Sequence, residues 1–188
     1  MNDDPLHRPA LLVIDIQRGA FDGVRCPPIE QADVLVERAA GLVGAAREGR
    51  VPIVFIQHCE GAGEVFEEGA PQWPLHERLA PLASDRVVLK RASSAFEGTD
   101  LDATLKSLGA RTLVLCGLQS EFCVSNTAKS AIAGGYDVVI ADDAHSTWPS
   151  NGEAAAAISE RVNRDLQALG AACTSTDVLA RSLGTARH

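Results

Sequence analysis

The chain has 188 residues, enough for one domain with a single sizeable core, and its composition (46% hydrophobic, 4% aromatic) excludes a disordered or fibrous chain. A formal net charge of -8 speaks against nucleic acid as a partner, because a phosphate-gripping surface needs clustered Lys and Arg. No apolar run approaches the roughly 20 residues that cross a bilayer, and the start, MNDDPLHRPA, carries acids where a signal peptide has basic residues, so a cytoplasmic protein with no membrane partner is expected.

Short apolar runs alternate with helical patterns along the chain. Residues 10–16 (ALLVIDI) read as a first buried strand. Leu35, Ala39, Leu42 and Ala46 then recur at helical spacing, with Gly49 as the stop. A second strand is predicted over 51–57. The stretch 59–82, with several Gly and Pro residues and Trp73, has no clean period, and a loop this long in a compact domain is usually functional. A short strand follows at 86–90 (RVVLK). Leu101, Leu105 and Leu108 form a helix between Thr99, a candidate cap, and Gly109. Residues 112–117 (TLVLCG) make a fourth strand, and Val124, Ala128 and Ala131 a helix closed by Gly134 and Gly135. A strand at 136–141 (YDVVIA) precedes a helix through Ile158, Val162, Leu166 and Leu169, ended by Gly170. A weaker last strand lies at 171–174.

Continuous rather than alternating hydrophobicity is what a parallel sheet covered on both faces requires. The alternation of strands and helices predicts an α/β fold, a three-layer α/β/α sandwich spanning 1–188 without an internal boundary. The first strand leads into DIQRGAFD rather than GxGxxG, so no dinucleotide fingerprint is present.

Ligands of open parallel sheets bind beyond the carboxyl ends of the strands. Three reactive residues fall there. Asp15 closes the first strand, Lys90 closes the third, and Cys123 lies just past the fourth at the start of a helix. A nearby ammonium and the positive end of a helix favour a thiolate. Asp15 can take the thiol proton and return it to a leaving amine. The thiolate would form a thioester, and backbone amides of the turn 117–123 would hold the oxyanion. The five cysteines, Cys26, Cys59, Cys116, Cys123 and Cys173, contain no CxxC pair, so neither a disulfide framework nor structural zinc is expected, and Cys116 should be buried and inert.

D-x-Q at Asp15-Ile16-Gln17, the strand-ending Lys90, CGLQSEFCVSNTA around Cys123 and ADDAHSTW from Ala141 resemble the isochorismatase-like cysteine hydrolases over nearly the whole chain. The resemblance implies a six-stranded parallel, Rossmann-like sheet and an Asp15–Lys90–Cys123 triad. It also implies a cis peptide between Leu118 and Gln119 that turns the Gln119 amide, with that of Cys123, into an oxyanion hole, and a homo-oligomer. Nicotinamidases of this superfamily carry an Asp-x-His metal motif where this chain has Gln57-His58-Cys59. His76 matches only a later histidine of that pattern, so no metal and no cofactor are expected, and His58 reads as a loop residue. Retention of the cysteine points to acyl chemistry at a C–N bond of a small molecule. Vinyl-ether or ester hydrolysis, or a silent binding module, are the alternatives. Gln17, Phe21, Phe96, Phe122 and Trp148 are the candidate substrate-binding residues, an apolar pocket with a polar handle. His145 is read either as a substrate partner or as a loop residue tied to backbone.

Overall fold

A computed structural model describes residues 6–186; Asp3 and Asp4 of the acidic start lie outside that range. The first strand, β1 (Pro9–Ile14, PALLVI), is buried at every position, because both faces of the sheet are covered. Its side chains divide by alternation. Leu11 and Val13 enter one core, and Ala10, Leu12 and Ile14 enter the other. α1 (Ala32–Glu48) buries Leu35, Val36, Ala39, Leu42, Val43 and Ala46 on one stripe and ends at Gly49 as expected.

β2 (Ile53–His58) and β3 (Arg86–Lys90) follow, separated by the long irregular stretch, which contains one short 3-10 turn at Glu77–Leu79. α2 (Leu101–Ser107) then leads to β4 (Thr112–Leu118), and a π-helical turn, Ser120–Val124, leads into α3 (Ser125–Ala133). Thr99 caps α2 from one position further out than a standard cap, its hydroxyl accepting from the Leu101 amide at 3.2 Å.

β5 (Asp137–Ser146) runs five residues past its predicted end, through the polar DDAHS. It does so because the β4–β5 register shifts between Leu115 and Gly117, so that Gly117 pairs with His145 and Leu118 with Ser146. α4 (Ala155–Ala168) and β6 (Ala172–Thr174) match their predictions. The sequence reading missed α5 (Thr176–Thr185), whose two apolar anchors, Leu179 and Leu183, pack against α1.

All six strands are parallel, in the order β3-β2-β1-β4-β5-β6. The winding reverses between β1 and β4, and the crevice beyond their carboxyl ends is where such a sheet takes a ligand. Gly117 lets the two strands close tightly there. A Cβ at Gly117 would lie 2.0 Å from the Ile14 carbonyl oxygen, and its φ is +129°. Gly117→Ala is therefore expected to cost about 3 kcal/mol or more. Gly41 lies inside α1, where an added Cβ meets nothing within 4 Å, and Gly41→Ala should stabilise by roughly 0.5–1 kcal/mol. Denaturant unfolding of both variants checks this pair of signs; a neutral Gly117→Ala would contradict the close approach.

Candidate active site

Asp15 leaves β1 in a left-handed conformation, φ 52°, which Asp tolerates better than most residues and which turns its carboxylate into the switch-point crevice. Its amide still bonds the Ile56 carbonyl of β2, so the bend is tied to the sheet. Lys90 ends β3, where it pairs in register with His58 of β2. Cys123 arrives on the π-helical turn after β4, which follows a cis Leu118–Gln119 peptide.

The three predicted residues meet. Lys90 Nζ is 2.7 Å from Asp15 Oδ2 and 3.1 Å from Cys123 Sγ. Both members of the ion pair are sealed from solvent, with side-chain exposures of 0% and 2%. Lys90 also faces His58 Nδ1 at 2.9 Å and the Ala92 carbonyl at 3.2 Å. An ammonium has three protons, so four acceptors surround three donors.

Burial raises the Asp15 carboxyl above its usual range, against the pull of Lys90. Burial also opposes the Lys90 charge, but the Asp15 carboxylate and the Cys123 sulfur outweigh it and raise the ammonium. Burial, with the Asp15 charge, pushes the Cys123 thiol up to about 11, while Lys90 opposes the rise. Lys90 thus favours the thiolate as expected, but burial and the Asp15 charge outweigh it. The resting sulfur is a thiol beside a carboxylate, and α3 begins only at Ser125, after the turn. Cys116 is fully buried on β4 and burial pushes its thiol up to about 12, consistent with an inert residue.

Next to this unit lies a cavity of about 420 Å³. Phe122, which is 53% exposed, and Trp148 line it as expected. The other three candidates do not. Gln17 is wholly buried, and its side-chain amide clamps a neighbouring backbone. Oε1 accepts from the His58 amide at 2.7 Å, and Nε2 donates to the carbonyls of His58 (3.0 Å) and Trp73 (2.7 Å). Phe21 packs edge-on against His76, ring centroids 5.0 Å apart, and Phe96 packs against Tyr136 at 6.0 Å, so both belong to core edges.

His58 is not a loop residue. It ends β2, lines the cavity and is half-buried, and burial followed by the Lys90 charge lowers its pKa to about 4. It is thus neutral, and the ammonium it faces assigns Nδ1 as acceptor and Nε2 as the protonated nitrogen. Nε2 points towards Glu60, 3.6 Å from Oε1. The signal was available: HCE directly follows an apolar strand, at the same sheet edge that singled out Asp15 and Lys90. The 59–82 stretch contributes Glu60, Val65 and Phe66 to the cavity, in keeping with a functional loop. His76 instead accepts from the Arg78 amide at 3.3 Å and is outside the cavity.

His145 is neither exposed nor bound to backbone. It lies buried on β5 between the side chains of Ser120 and Asn163. Among the described residues, no group of three or more His, Cys, Asp or Glu is placed to hold a metal ion. No helix among them is long and apolar enough to cross a membrane.

The doubly wound sheet with this carboxylate, ammonium and thiol at its switch point places the chain in the class of isochorismatase-like α/β hydrolases. The profile of the isochorismatase domain matches residues 9–177, and the chain belongs to the isochorismatase family. A streptothricin hydrolase of Streptomyces noursei is 37% identical over 139 residues, covering 74% of this chain; the alignment spans only half of that relative's length. A ureidoacrylate amidohydrolase of Stutzerimonas stutzeri is 25% identical over 182 residues, covering 78% of this chain and 73% of the relative. A solved structure from Burkholderia xenovorans LB400 aligns with a TM-score of 0.86 at 32% identity, over 97% of this chain and 91% of the other.

His58 provides a test of the site's electrostatics. Its folded-state value of about 4 lies below the ~6.5 of an unfolded histidine, so the unfolded chain takes up the proton first as pH falls. The contribution is present above pH ~6.5 and is lost progressively down to about pH 4. Wild type should therefore lose more stability between pH 7 and 4.5 than His58→Asn, measured as denaturant midpoints at each pH. Parallel pH curves would contradict a neutral, Lys90-facing His58.

Proposed function

We propose that this chain is a cysteine hydrolase that cleaves a C–N, amide-type bond of a small substrate through a thioester on Cys123. The observation that carries the reading is the single Lys90 ammonium within hydrogen-bond reach of both Asp15 and the Cys123 sulfur. In the resting site the negative charge sits on Asp15. When Asp15 takes the thiol proton, the charge moves to sulfur, and the same ammonium remains beside it. The fourth acceptor around Lys90 lets its three protons redistribute during that transfer. Burial raises the Asp15 carboxyl, which makes its carboxylate a stronger base towards the neighbouring thiol.

The sulfur bonds to the substrate carbonyl carbon, and the oxyanion rests on the amides of Gln119 and Cys123. The C–N bond breaks as Asp15 returns its proton to the departing nitrogen. Water attacks the thioester, giving a proton to Asp15, and the sulfur leaves and recovers that proton. Phe122, Trp148 and Phe66 give the substrate an apolar seat, and His58 Nε2–H a donor at its rim. Similarity to a ureidoacrylate amidohydrolase supports hydrolysis at an amide-type bond, and similarity to a streptothricin hydrolase supports hydrolysis of a small molecule.

Ammonia release from a panel of small carboxamides, ureido compounds and cyclic amides, with ring opening followed by mass for the cyclic members, tests the proposal. Turnover of at least one compound is expected, falling by a factor of about 10³ or more in Cys123→Ala. Turnover that survives Cys123→Ala, or turnover of esters or vinyl ethers alone, would overturn it.

A further inference from the structure

Behind the turn that carries Cys123 runs a partly buried chain of hydrogen bonds that the proposed chemistry does not use. Ser159 Oγ on α4 lies 2.9 Å from Ser120 Oγ, and Ser120 Oγ lies 2.8 Å from His145 Nδ1 on β5. His145 Nε2 lies 2.8 Å from Asn163 Oδ1 on α4, and Asn163 Nδ2 donates to the Asp142 carbonyl at 3.2 Å. Ser120 is wholly buried and His145 nearly so.

The direction of every bond is forced. Asn163 spends its amide donor on Asp142, so its Oδ1 is an acceptor and His145 Nε2 carries the proton. Burial lowers the pKa of His145, which keeps the ring neutral and leaves Nδ1 unprotonated. Nδ1 must then accept from the Ser120 hydroxyl, whose oxygen in turn accepts from Ser159. The chain ties the cysteine turn, β5 and α4 to one another.

The chain's target is the turn itself. Ser120 directly follows Gln119 and opens the π-helical turn that ends in Cys123 and Val124. Inside that turn, one carbonyl, that of Gln119, accepts from both the Phe122 and Val124 amides, at 3.2 and 3.1 Å. The backbone there has a looser bonding pattern than an α-helix, and Ser120 is one of the points where the rest of the protein grips it, beside Glu121, which accepts from Thr147 Oγ1 at 3.0 Å. We infer that His145, acting through Ser120, is a positioning residue that holds the Gln119 and Cys123 amides in register with the substrate oxyanion. The inference rests on the thioester reading above. It also separates two things that reading joins. The His145 chain meets the turn from β5 and α4, whereas Asp15 and Lys90 reach the sulfur from β1 and β3. Loss of the chain should therefore weaken oxyanion binding and leave thiol activation intact.

Two probes separate these effects. 4-Nitrophenyl acetate acylates sulfur through a tetrahedral oxyanion, releasing 4-nitrophenolate. Iodoacetamide alkylates it by direct displacement of iodide, with no oxyanion. Both rates are measured on the full chain with Cys123→Ala as background, and thermal unfolding confirms that each variant is folded. His145→Leu should lower the Cys123-dependent acylation rate by tenfold or more, towards the roughly hundredfold that misplacement by 1 Å costs. Its alkylation rate should stay within about twofold of wild type. His145→Asn, whose Oδ1 can replace Nδ1 as the acceptor for Ser120, should recover most of the acylation rate. Ser120→Ala should reproduce the His145→Leu pattern, which keeps the test open if the leucine variant does not fold. Acylation unchanged in the folded variants, or alkylation falling in parallel with acylation, would overturn the inference while leaving the thioester reading standing. Absence of any Cys123-dependent reaction in wild type would sink both, and is distinguished by that control.

Discussion

The structure depends on a buried charge. Lys90 is one of the largest fully buried side chains of the protein, and an ammonium removed from water is tolerated only when partners surround it. Asp15, Cys123, His58 and the Ala92 carbonyl supply those partners from β1, the π-helical turn, β2 and the end of β3. Removing one member of a buried pair typically costs about 3–5 kcal/mol, because it strands the other charge. Four segments far apart in sequence are thus locked to one atom. The same requirement explains the strained φ of Asp15 and the close approach of β1 and β4 at Gly117, which together bring the carboxylate and the cysteine turn within reach of the ammonium.

A second layer holds that arrangement. Gln17 grips the backbone of His58 on both sides, and Trp73 Nε1 donates to the same His58 carbonyl at 3.0 Å. The end of β2 is therefore fixed by a side chain just after β1 and by the 59–82 loop. On the opposite flank, the His145 chain fixes the cysteine turn against β5 and α4. In the cavity, apolar walls from Phe66, Phe122 and Trp148 face a polar side formed by Asp15, His58, Glu60, Arg91, Ser93 and Gln119. Burial and the Asp15 charge push the half-buried Cys123 thiol up to about 11, so it stays protonated until a base acts on it.

Much of this was legible in the sequence, for identifiable reasons. A parallel sheet covered on both sides writes itself as unbroken apolar runs, and 86–90 matches its strand at both ends. Asp15, Lys90 and Cys123 stood out because polar residues at the ends of such runs have one place to go. What failed was direction rather than position. Gln17 sits at the correct edge, but nothing in a sequence says that its amide turns inward to a backbone instead of outward to a ligand. Phe21 and Phe96 failed likewise, since an aromatic near the sheet edge packs equally well into core. The polar DDAHS hid the extension of β5, because period and hydrophobicity cannot register a bulge that keeps His145 inside. α5 offers only Leu179 and Leu183 on its buried stripe, too few for a periodic signal.

The central claim is that Cys123 carries the acyl group because Asp15 and Lys90 prepare it. Rapid acid quench of the protein mixed with 4-nitrophenyl acetate, followed by peptide mass spectrometry, tests it most directly. The account predicts acetylation of Cys123, ahead of the other four cysteines in wild type, and its loss from Cys123 in Asp15→Asn. Acetylation that favours another residue, or that proceeds equally fast on Cys123 in Asp15→Asn, would contradict it.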